Sequence, residues 1–183
     1  GEEPAGAGPA LARHLEGVRA RFGALHVLVT NAGGPRAGSA ADATDEALDQ
    51  AFELTLKSAV RAVRAVLPGM RAQGYGRIVA LTSSSVRQPI PGLALSNTLR
   101  AGLTGWLKTL SREVAADGVL VNSICTGMFE TERLRELIRL RSETSGRSHA
   151  AERAARRPSQ PGSRPAWIDR VPAASATRSA PRG

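Results

Sequence analysis

The side chains that could carry chemistry lie mainly in two loops, and they do not form a metal-ligating pattern. Cys125 is the single cysteine and excludes an internal disulfide, and the three histidines are scattered along the chain. No spacing typical of zinc ligands exists, so we expect no metal site. The other candidates are a glycine-rich run at residues 31–35, after the apolar stretch HVLVT, and a serine-rich run at residues 83–85, after RIVALT.

Each of these loops follows a short apolar run that predicts a buried β-strand. Segments with apolar residues three or four positions apart predict helices, the longest of which carries one apolar face from Leu48 to Met70 and contains Pro68 as a candidate kink. Strands alternating with helices favour parallel pairing, with both crossover helices on one face of the sheet. The predicted strands are residues 26–30, 77–84 and 119–124, and the predicted helices are residues 10–22, 44–74, 95–116 and 132–140.

The net charge of +9 is concentrated near the end of the chain. Residues 1–140 carry 16 basic and 13 acidic side chains, whereas residues 141–183 carry 9 and 3. The arginines of this last segment are dispersed and Trp167 is the sole aromatic residue among them, so we expect no nucleic-acid partner. Its prolines and lack of periodicity predict a disordered tail from residue 141, and the abrupt change of composition resembles an out-of-frame reading of GC-rich DNA.

No membrane or targeting segment is predicted. Hydrophobic residues make up 42% of the chain, close to the average of globular domains. No apolar run approaches the roughly 18 residues of a membrane helix, and the first residues, GEEPAGAGPA, lack the pattern of a signal peptide. We therefore expect a cytoplasmic protein with no membrane partner.

Four motifs occur in a characteristic order over about residues 10–140: VLVTNAGG, RIVALTSSS, SNTLRAGLTGWLKTLSREVA and VNSICTG. Together they resemble the short-chain dehydrogenase/reductase superfamily, in particular the 3-oxoacyl-acyl-carrier-protein reductases. The resemblance implies a partial Rossmann-like, three-layer α/β fold with a parallel sheet. It also implies NAD or NADP as cofactor and a small-molecule carbonyl or alcohol substrate. The family's TGxxxGxG loop has no counterpart, since the GAG at residues 6–8 follows no strand, and we expect an N-terminally truncated member.

The resemblance assigns the family's proton-transfer positions to four residues. Ser83 matches the serine that hydrogen-bonds the substrate carbonyl, although a serine that ends a strand is more often a structural cap. Ser96 and Arg100 occupy the positions of the family's tyrosine and lysine, and Thr55 occupies that of its asparagine. Three of the four residue types have changed. The only tyrosine, Tyr75, precedes the second strand, at the wrong end of the sheet to replace the missing phenol.

The resemblance also implies cofactor contacts. Asn31, Ala32 and Gly33 would lie beside the adenosine part of the dinucleotide, Arg100 could reach the ribose hydroxyls, and Thr131 matches the threonine that contacts the nicotinamide carboxamide. Each has a structural alternative as well. The NAG run suits a plain turn, and Thr131 suits the N-cap of the helix predicted over residues 132–140.

Three hypotheses follow for the function. The first is an inactive or incomplete dehydrogenase, a pseudoenzyme with altered catalytic positions. The second is a divergent oxidoreductase with a proton donor other than tyrosine, and the third is a binding or scaffold module that uses the long helix. We also expect self-association into homo-oligomers, because the strand at residues 26–30 would be an exposed edge and one sheet face would expose apolar side chains.

Overall fold

The computed structural model describes residues 9–127 and 132–155, and residues 9–127 form an α/β arrangement around a parallel sheet. Helices α2 and α3 are joined by a π-helical segment, residues Phe52–Lys57, into one long helix. Short 3₁₀ turns follow β2, at Ser84–Val86, and precede β3, at Ala115–Asp117. The elements in chain order are α1 (Pro9–Phe22), β1 (Val27–Thr30), α2 (Asp45–Ala51), α3 (Ser58–Ala72), β2 (Gly76–Leu81), α4 (Ala94–Glu113), β3 (Val119–Ile124), α5 (Glu132–Ser145) and α6 (His149–Ala155).

The described strands pair in the order β1-β2-β3, and both pairs are parallel. Val27 lies opposite Arg77, and Gly76 lies opposite Val119. Because all three strands run the same way, their carboxyl ends meet at one edge of the sheet. The predicted parallel pairing and α/β class are confirmed, and β1 is an edge strand as expected.

One face of the sheet carries the core. Ile78 of β2 and Val119 of β3 are fully buried under side chains of three helices. Helices α1, α3 and α4 all contribute to this cluster, so the prediction that the crossover helices share one face is confirmed. The helix residues of the cluster are Leu15, Val63, Ala65, Val66, Met70 and Leu110.

The opposite face of the sheet is left partly exposed by the elements of residues 9–127. Val27 and Val29 of β1 are 56% and 58% exposed, and Leu120 and Ile124 of β3 are 47% and 51% exposed. The expectation that β1 is buried is therefore wrong for every second residue. Side chains of a strand alternate between the two faces, and only one face is packed here.

The second half of the long helix buries Val63 and Met70 as predicted, whereas its first half buries a different stripe. Thr44 caps its start, since its hydroxyl accepts a hydrogen bond from the backbone N–H of Ala47. Leu48 and Phe52, predicted to lie on the apolar face, are 42% and 41% exposed. The π-helical segment changes which side of the helix faces the core. Its first half therefore buries Ala51, Thr55 and Ala59 instead. Helix α3 continues through Pro68 to its end at Ala72.

Two turns at the amino edge of the sheet touch closely. Gly118, which leads into β3, has φ +74°, and a Cβ atom on it would lie 2.1 Å from the backbone oxygen of Gly74. Only glycine combines this left-handed backbone with such a close approach. The turn between α4 and β3 is thus fixed against the turn between α3 and β2.

The chain divides into two compact units between residues 130 and 131. In the second unit, helices α5 and α6 are linked by a hydrogen bond of 2.9 Å from the Ser145 hydroxyl to the Glu152 carboxylate. The segment predicted as a disordered tail therefore begins with helical structure up to residue 155, and residues 156–183 lie outside the described residues. The predicted domain boundary at residue 140 stays a prediction. Across the described ranges, no helix is both long and apolar enough to span a bilayer.

Candidate functional site

The carboxyl edge of the sheet is held together by hydroxyl and backbone hydrogen bonds. The Thr82 hydroxyl donates to the backbone oxygen of Ile124 over 3.2 Å, and the Thr126 hydroxyl donates to that of Thr82 over 2.9 Å. The backbone N–H of Ser84 donates to the oxygen of Thr126, also over 2.9 Å. The loops after β2 and β3 therefore form one connected floor. Sequence reasoning did not identify Thr82 and Thr126 as site residues. Their position at the ends of strands could have indicated them.

Arg100 joins the ends of β1 and β2. It lies on α4, and its guanidinium donates to the backbone oxygen of Leu81 over 3.0 Å and to that of Ala32 over 3.2 Å. Arg100 thus lies at the sheet edge where sequence reasoning placed it. Its two contacts with the strand ends are structural. They also hold a positive charge at this edge.

Ser83 caps the 3₁₀ turn that follows β2. Its backbone is extended, and its hydroxyl oxygen accepts a hydrogen bond of 3.1 Å from the N–H of Ser85. Ser83 is therefore a structural cap, as one interpretation of the sequence predicted. This role does not occupy the whole hydrogen-bonding capacity of its hydroxyl. A hydroxyl that accepts one hydrogen bond still has its own proton to donate.

Ser96 lies in the first turn of α4 and is 9% exposed. Its hydroxyl makes no hydrogen bond to any residue that the structure describes. Ser96 and Arg100 are four positions apart, so both lie on the same face of α4. Tyr75 precedes β2 at the opposite edge, where the guanidinium carbon of Arg77 lies 4.1 Å from its ring centre. The expectation that Tyr75 cannot replace the phenol agrees with this position.

Two buried hydroxyls near α4 lack hydrogen-bond partners among the described residues. Thr55, in the π-helical segment, is fully buried, and its Oγ1 atom has no partner in this part of the chain. The buried hydroxyl of Ser85 has none there either. Both residues lie on segments that pack against α4. Thr55 is therefore near the helix that carries Ser96, although the structure shows no bond from it to the site.

The loop after β1 leaves polar groups exposed. Asn31 and Gly33 are exposed, and the side chain of Asn31 makes no hydrogen bond within the described ranges. Ala32 contributes only its backbone oxygen, to Arg100. Thr131 lies outside the described residues. The structure thus places four predicted site residues together at the carboxyl edge through the strand-end loops and α4: Asn31, Ala32, Ser83 and Arg100.

A cavity of about 280 Å³ opens beside this edge. It lies between the loop after β1, the α2 end of the long helix and the start of α4. Its walls combine apolar side chains with a cation, a carboxylate and an amide. The main lining residues are Pro35, Arg36, Glu46, Gln50, Leu54 and Leu95. Sequence reasoning missed this cavity, although Arg36 directly follows the glycine-rich run.

Two carboxylates of the long helix have lowered pKa values. Hydrogen bonds from its own backbone N–H and then from the Thr44 hydroxyl lower the pKa of Glu46. Hydrogen bonding to Lys57 is the main cause that lowers the pKa of Glu53, and Arg61 adds an ion pair at 2.8 Å. No group of three potential metal ligands occurs in the described parts of the chain.

A parallel sheet with crossover helices and polar loops at its carboxyl edge defines a Rossmann-like α/β class. Residues 9–141 match the family described as short chain dehydrogenase. This match covers more than half of the chain and agrees with the fold. The chain belongs to the short-chain dehydrogenase family.

Known members of the family are similar over part of their length. The 3-oxoacyl-acyl-carrier-protein reductase of Escherichia coli is 37% identical over 123 residues, which cover 67% of this chain and 50% of that protein. The L-sorbose reductase of Gluconobacter frateurii, solved with NADPH and L-sorbose, is 32% identical with a TM-score of 0.67 and covers 77% of this chain and 54% of its own.

A third relative of known structure is also similar to this chain. An NADPH-bound short chain oxidoreductase of Pseudomonas aeruginosa, described as containing an atypical catalytic center, is 30% identical with a TM-score of 0.66. The match covers 73% of this chain and 51% of that one. The chain thus spans about half the length of the relatives that it matches.

Proposed function

We propose that this protein is an NAD(P)-dependent short-chain oxidoreductase that interconverts carbonyl and alcohol groups with a serine–arginine centre. The observation that carries the proposal is the position of Ser96 on α4, one helical turn before Arg100. The Ser96 hydroxyl makes no hydrogen bond within the described ranges, and it lies one helical turn from a guanidinium fixed to two strand ends. The NADPH-bound relative with an atypical catalytic center supports a site that departs from the usual residue types.

Exposed groups at the carboxyl edge of the sheet support binding of the family's nicotinamide cofactor. Ligands of parallel α/β sheets bind outside the carboxyl ends of the strands, where Asn31 and Gly33 are exposed. Asn31, Gly33 and Arg100 would hold the dinucleotide, together with Thr131. When bound, the cofactor supplies or accepts the hydride. The solved relatives named above carry NADPH.

The residues of the chain then divide the remaining chemistry. The Ser83 hydroxyl, which keeps its proton while capping the 3₁₀ turn, donates to the substrate carbonyl oxygen. Ser96 passes a proton from water to the same oxygen. Arg100 stabilises the negative charge that develops there. An aliphatic hydroxyl is a far weaker acid than a phenol of pKa about 10, so we expect slower turnover than in tyrosine-containing relatives.

A second candidate is a family member without catalytic activity. The observation that favours it is the use of the Arg100 guanidinium for two backbone carbonyls, which is a structural role. Under this alternative, Ser83 is a cap and Ser96 only fills the first turn of α4. Replacing either Ser83 or Ser96 by alanine would then leave the turnover rate unchanged.

A steady-state assay separates the two candidates. The full chain is incubated with NADPH and a ketone or acetoacetyl thioester, and in reverse with NADP and a secondary alcohol. We expect turnover that falls about tenfold or more in Ser83→Ala and Ser96→Ala, because each removes a hydrogen bond made to the reacting oxygen. Ser111→Ala, farther along α4, is the control and should leave the rate unchanged. A folded chain without turnover in either direction would contradict the proposal and support the inactive alternative.

The proposal extends to assembly and location. Self-association is supported by the uncovered apolar face of β1 and β3. A cytoplasmic location is supported by a composition with one cysteine, which is typical of reducing compartments. Nucleic-acid and membrane partners are not part of the proposal, because the basic residues are dispersed along the chain.

A further inference from the structure

The segment of residues 87–93 joins the 3₁₀ turn after β2 to the start of α4, and we call it the β2–α4 segment. It connects the two hydroxyls of the proposed reaction, since Ser83 caps that turn and Ser96 lies in the first turn of α4. The path of the segment thus affects how these two hydroxyls are placed relative to each other.

Asn97, the residue after Ser96, binds both backbone groups of Ile90 in this segment. Its Nδ2 amide donates to the Ile90 oxygen over 2.9 Å, and its Oδ1 atom accepts a hydrogen bond from the Ile90 N–H over 3.3 Å. A carboxamide satisfies both groups in one orientation only, because one end donates and the other accepts. The half-buried side chain of Asn97 therefore joins α4 to the middle of the β2–α4 segment.

The contact fixes more than one residue, because prolines flank Ile90. Pro89 and Pro91 each have a fixed φ and no backbone N–H, and Pro91 also restricts the backbone of Ile90 to extended conformations. Ile90 thus carries the single backbone N–H of residues 89–91, and Asn97 accepts its hydrogen bond. By holding this residue, Asn97 holds the stiff Pro-Ile-Pro run as a unit.

The two ends of the segment are held by backbone hydrogen bonds to neighbouring loops. The N–H of Ser84, just before the segment, donates to the oxygen of Thr126 over 2.9 Å. At the other end, the N–H of Gly38 donates to the oxygen of Gly92 over 2.9 Å, and that of Ala94 donates to the oxygen of Gly38 over 3.3 Å. The ends are therefore fixed to the loops after β1 and β3, and Asn97 fixes the middle to α4.

We propose that Asn97 is a positioning residue, which sets the placement of Ser83 relative to Ser96 through the β2–α4 segment. The inference rests on the proposed oxidoreductase function, in which both hydroxyls act on the same carbonyl oxygen. A displacement of about 1 Å in an active site can lower a rate by roughly a hundredfold. Asn97 itself does not touch the reacting atoms, and it acts through the backbone that it holds.

Amide exchange of the full chain, followed residue by residue by NMR, tests the contact without turnover. In Asn97→Ala we expect the Ile90 N–H to exchange roughly tenfold or more faster, because both hydrogen bonds to Ile90 are lost. Asn122→Ala, which removes an exposed asparagine of β3, is the matched control and should leave the exchange of Ile90 unchanged. The amide of Ile78 in β2 should stay protected in both variants if the fold persists.

Steady-state kinetics tests the positioning role. Asn97→Ala should lower kcat about tenfold or more while KM for the carbonyl substrate changes less, because the two hydroxyls act mainly in the transition state. Asn97→Gln carries the same amide on a side chain that is longer by one methylene group. It should protect Ile90 better than Asn97→Ala does and still turn over more slowly than the parent chain, since the segment is then held at a different distance.

Three outcomes decide between the inference and its alternatives. Equal exchange of Ile90 in the parent chain and in Asn97→Ala would overturn it, and so would an active parent chain whose kcat is unchanged in both variants. A parent chain without turnover, in which protection of Ile90 still depends on Asn97, would instead contradict the proposed function. It would leave the placement of the β2–α4 segment by Asn97 standing.

Discussion

At the residue scale, a single guanidinium connects two strand ends that are otherwise separated by the long helix in sequence. Arg100 donates to the oxygens of Ala32 and Leu81, and removing it leaves both without that donor. We expect Arg100→Gln to lower the free energy of unfolding by roughly 1–3 kcal/mol, the range for hydrogen bonds with a charged partner. Urea denaturation of the full chain measures this change.

The control for this experiment removes the same charge without the bonds. Arg64→Gln on the exposed side of α3 should stay within about 0.5 kcal/mol of the parent chain. Arg100→Lys should fall between the two, because a compact ammonium lacks the forked geometry that reaches two acceptors. An Arg100→Gln variant as stable as Arg64→Gln would show that the strand ends do not depend on this contact.

Sequence reasoning proposed Ser83 and Arg100 as site residues through the family resemblance, which rests on motifs that can be recognised along the chain. Arg100 was assigned by its position in the motif SNTLRAGLTGWLKTLSREVA. The cavity was missed because its wall is assembled from three segments distant in sequence, which contribute Arg36, Gln50 and Leu95. Only the fold brings these segments together, so no local pattern indicates them.

At the element scale, strands and helices were predictable from apolar periodicity. Which side of the first half of the long helix faces the core was not. Its buried residues Ala51, Thr55, Ala59 and Val63 recur every four residues, a longer spacing than the 3.6 residues of an α-helical turn. The π-helical segment accommodates the excess. Small residues fill this stripe, so the larger Leu48 and Phe52 gave a misleading signal.

The glycine turns at the amino edge allow a paired test of packing between elements. We expect Gly118→Ala to destabilise the chain by more than Gly74→Ala. Both positions have positive φ, at +74° and +63°, so both variants incur a backbone cost of about 1 kcal/mol. Only at Gly118 would the new Cβ also lie 2.1 Å from a backbone oxygen, whereas nothing lies within 4 Å at Gly74. Thermal and urea unfolding of the two variants should differ clearly. Equal losses would mean that backbone conformation alone matters at Gly118.

At the scale of the whole molecule, the sheet is packed on one side only within residues 9–127. The parallel pairing and the exposed β1 edge were predictable, because they follow from the alternation of strands and helices along the chain. Parallel sheets are usually covered on both faces. The open face presents the exposed apolar side chains of Val27, Val29, Leu120 and Ile124. Apolar patches of this kind mark interaction surfaces or association-prone regions.

We therefore expect Val29→Lys combined with Leu120→Lys to reduce self-association of the full chain while the fold persists. Both side chains are roughly half or more exposed, so the charges enter solvent rather than the core. Light scattering coupled to size-exclusion chromatography measures the mass, and circular dichroism checks the fold. Leu48→Lys, an exposed apolar position on α2, is the matched control. If that variant dissociates the oligomer and the sheet variant does not, association occurs through the long helix, as in the third hypothesis. A parent chain that stays monomeric at all concentrations would contradict self-association altogether.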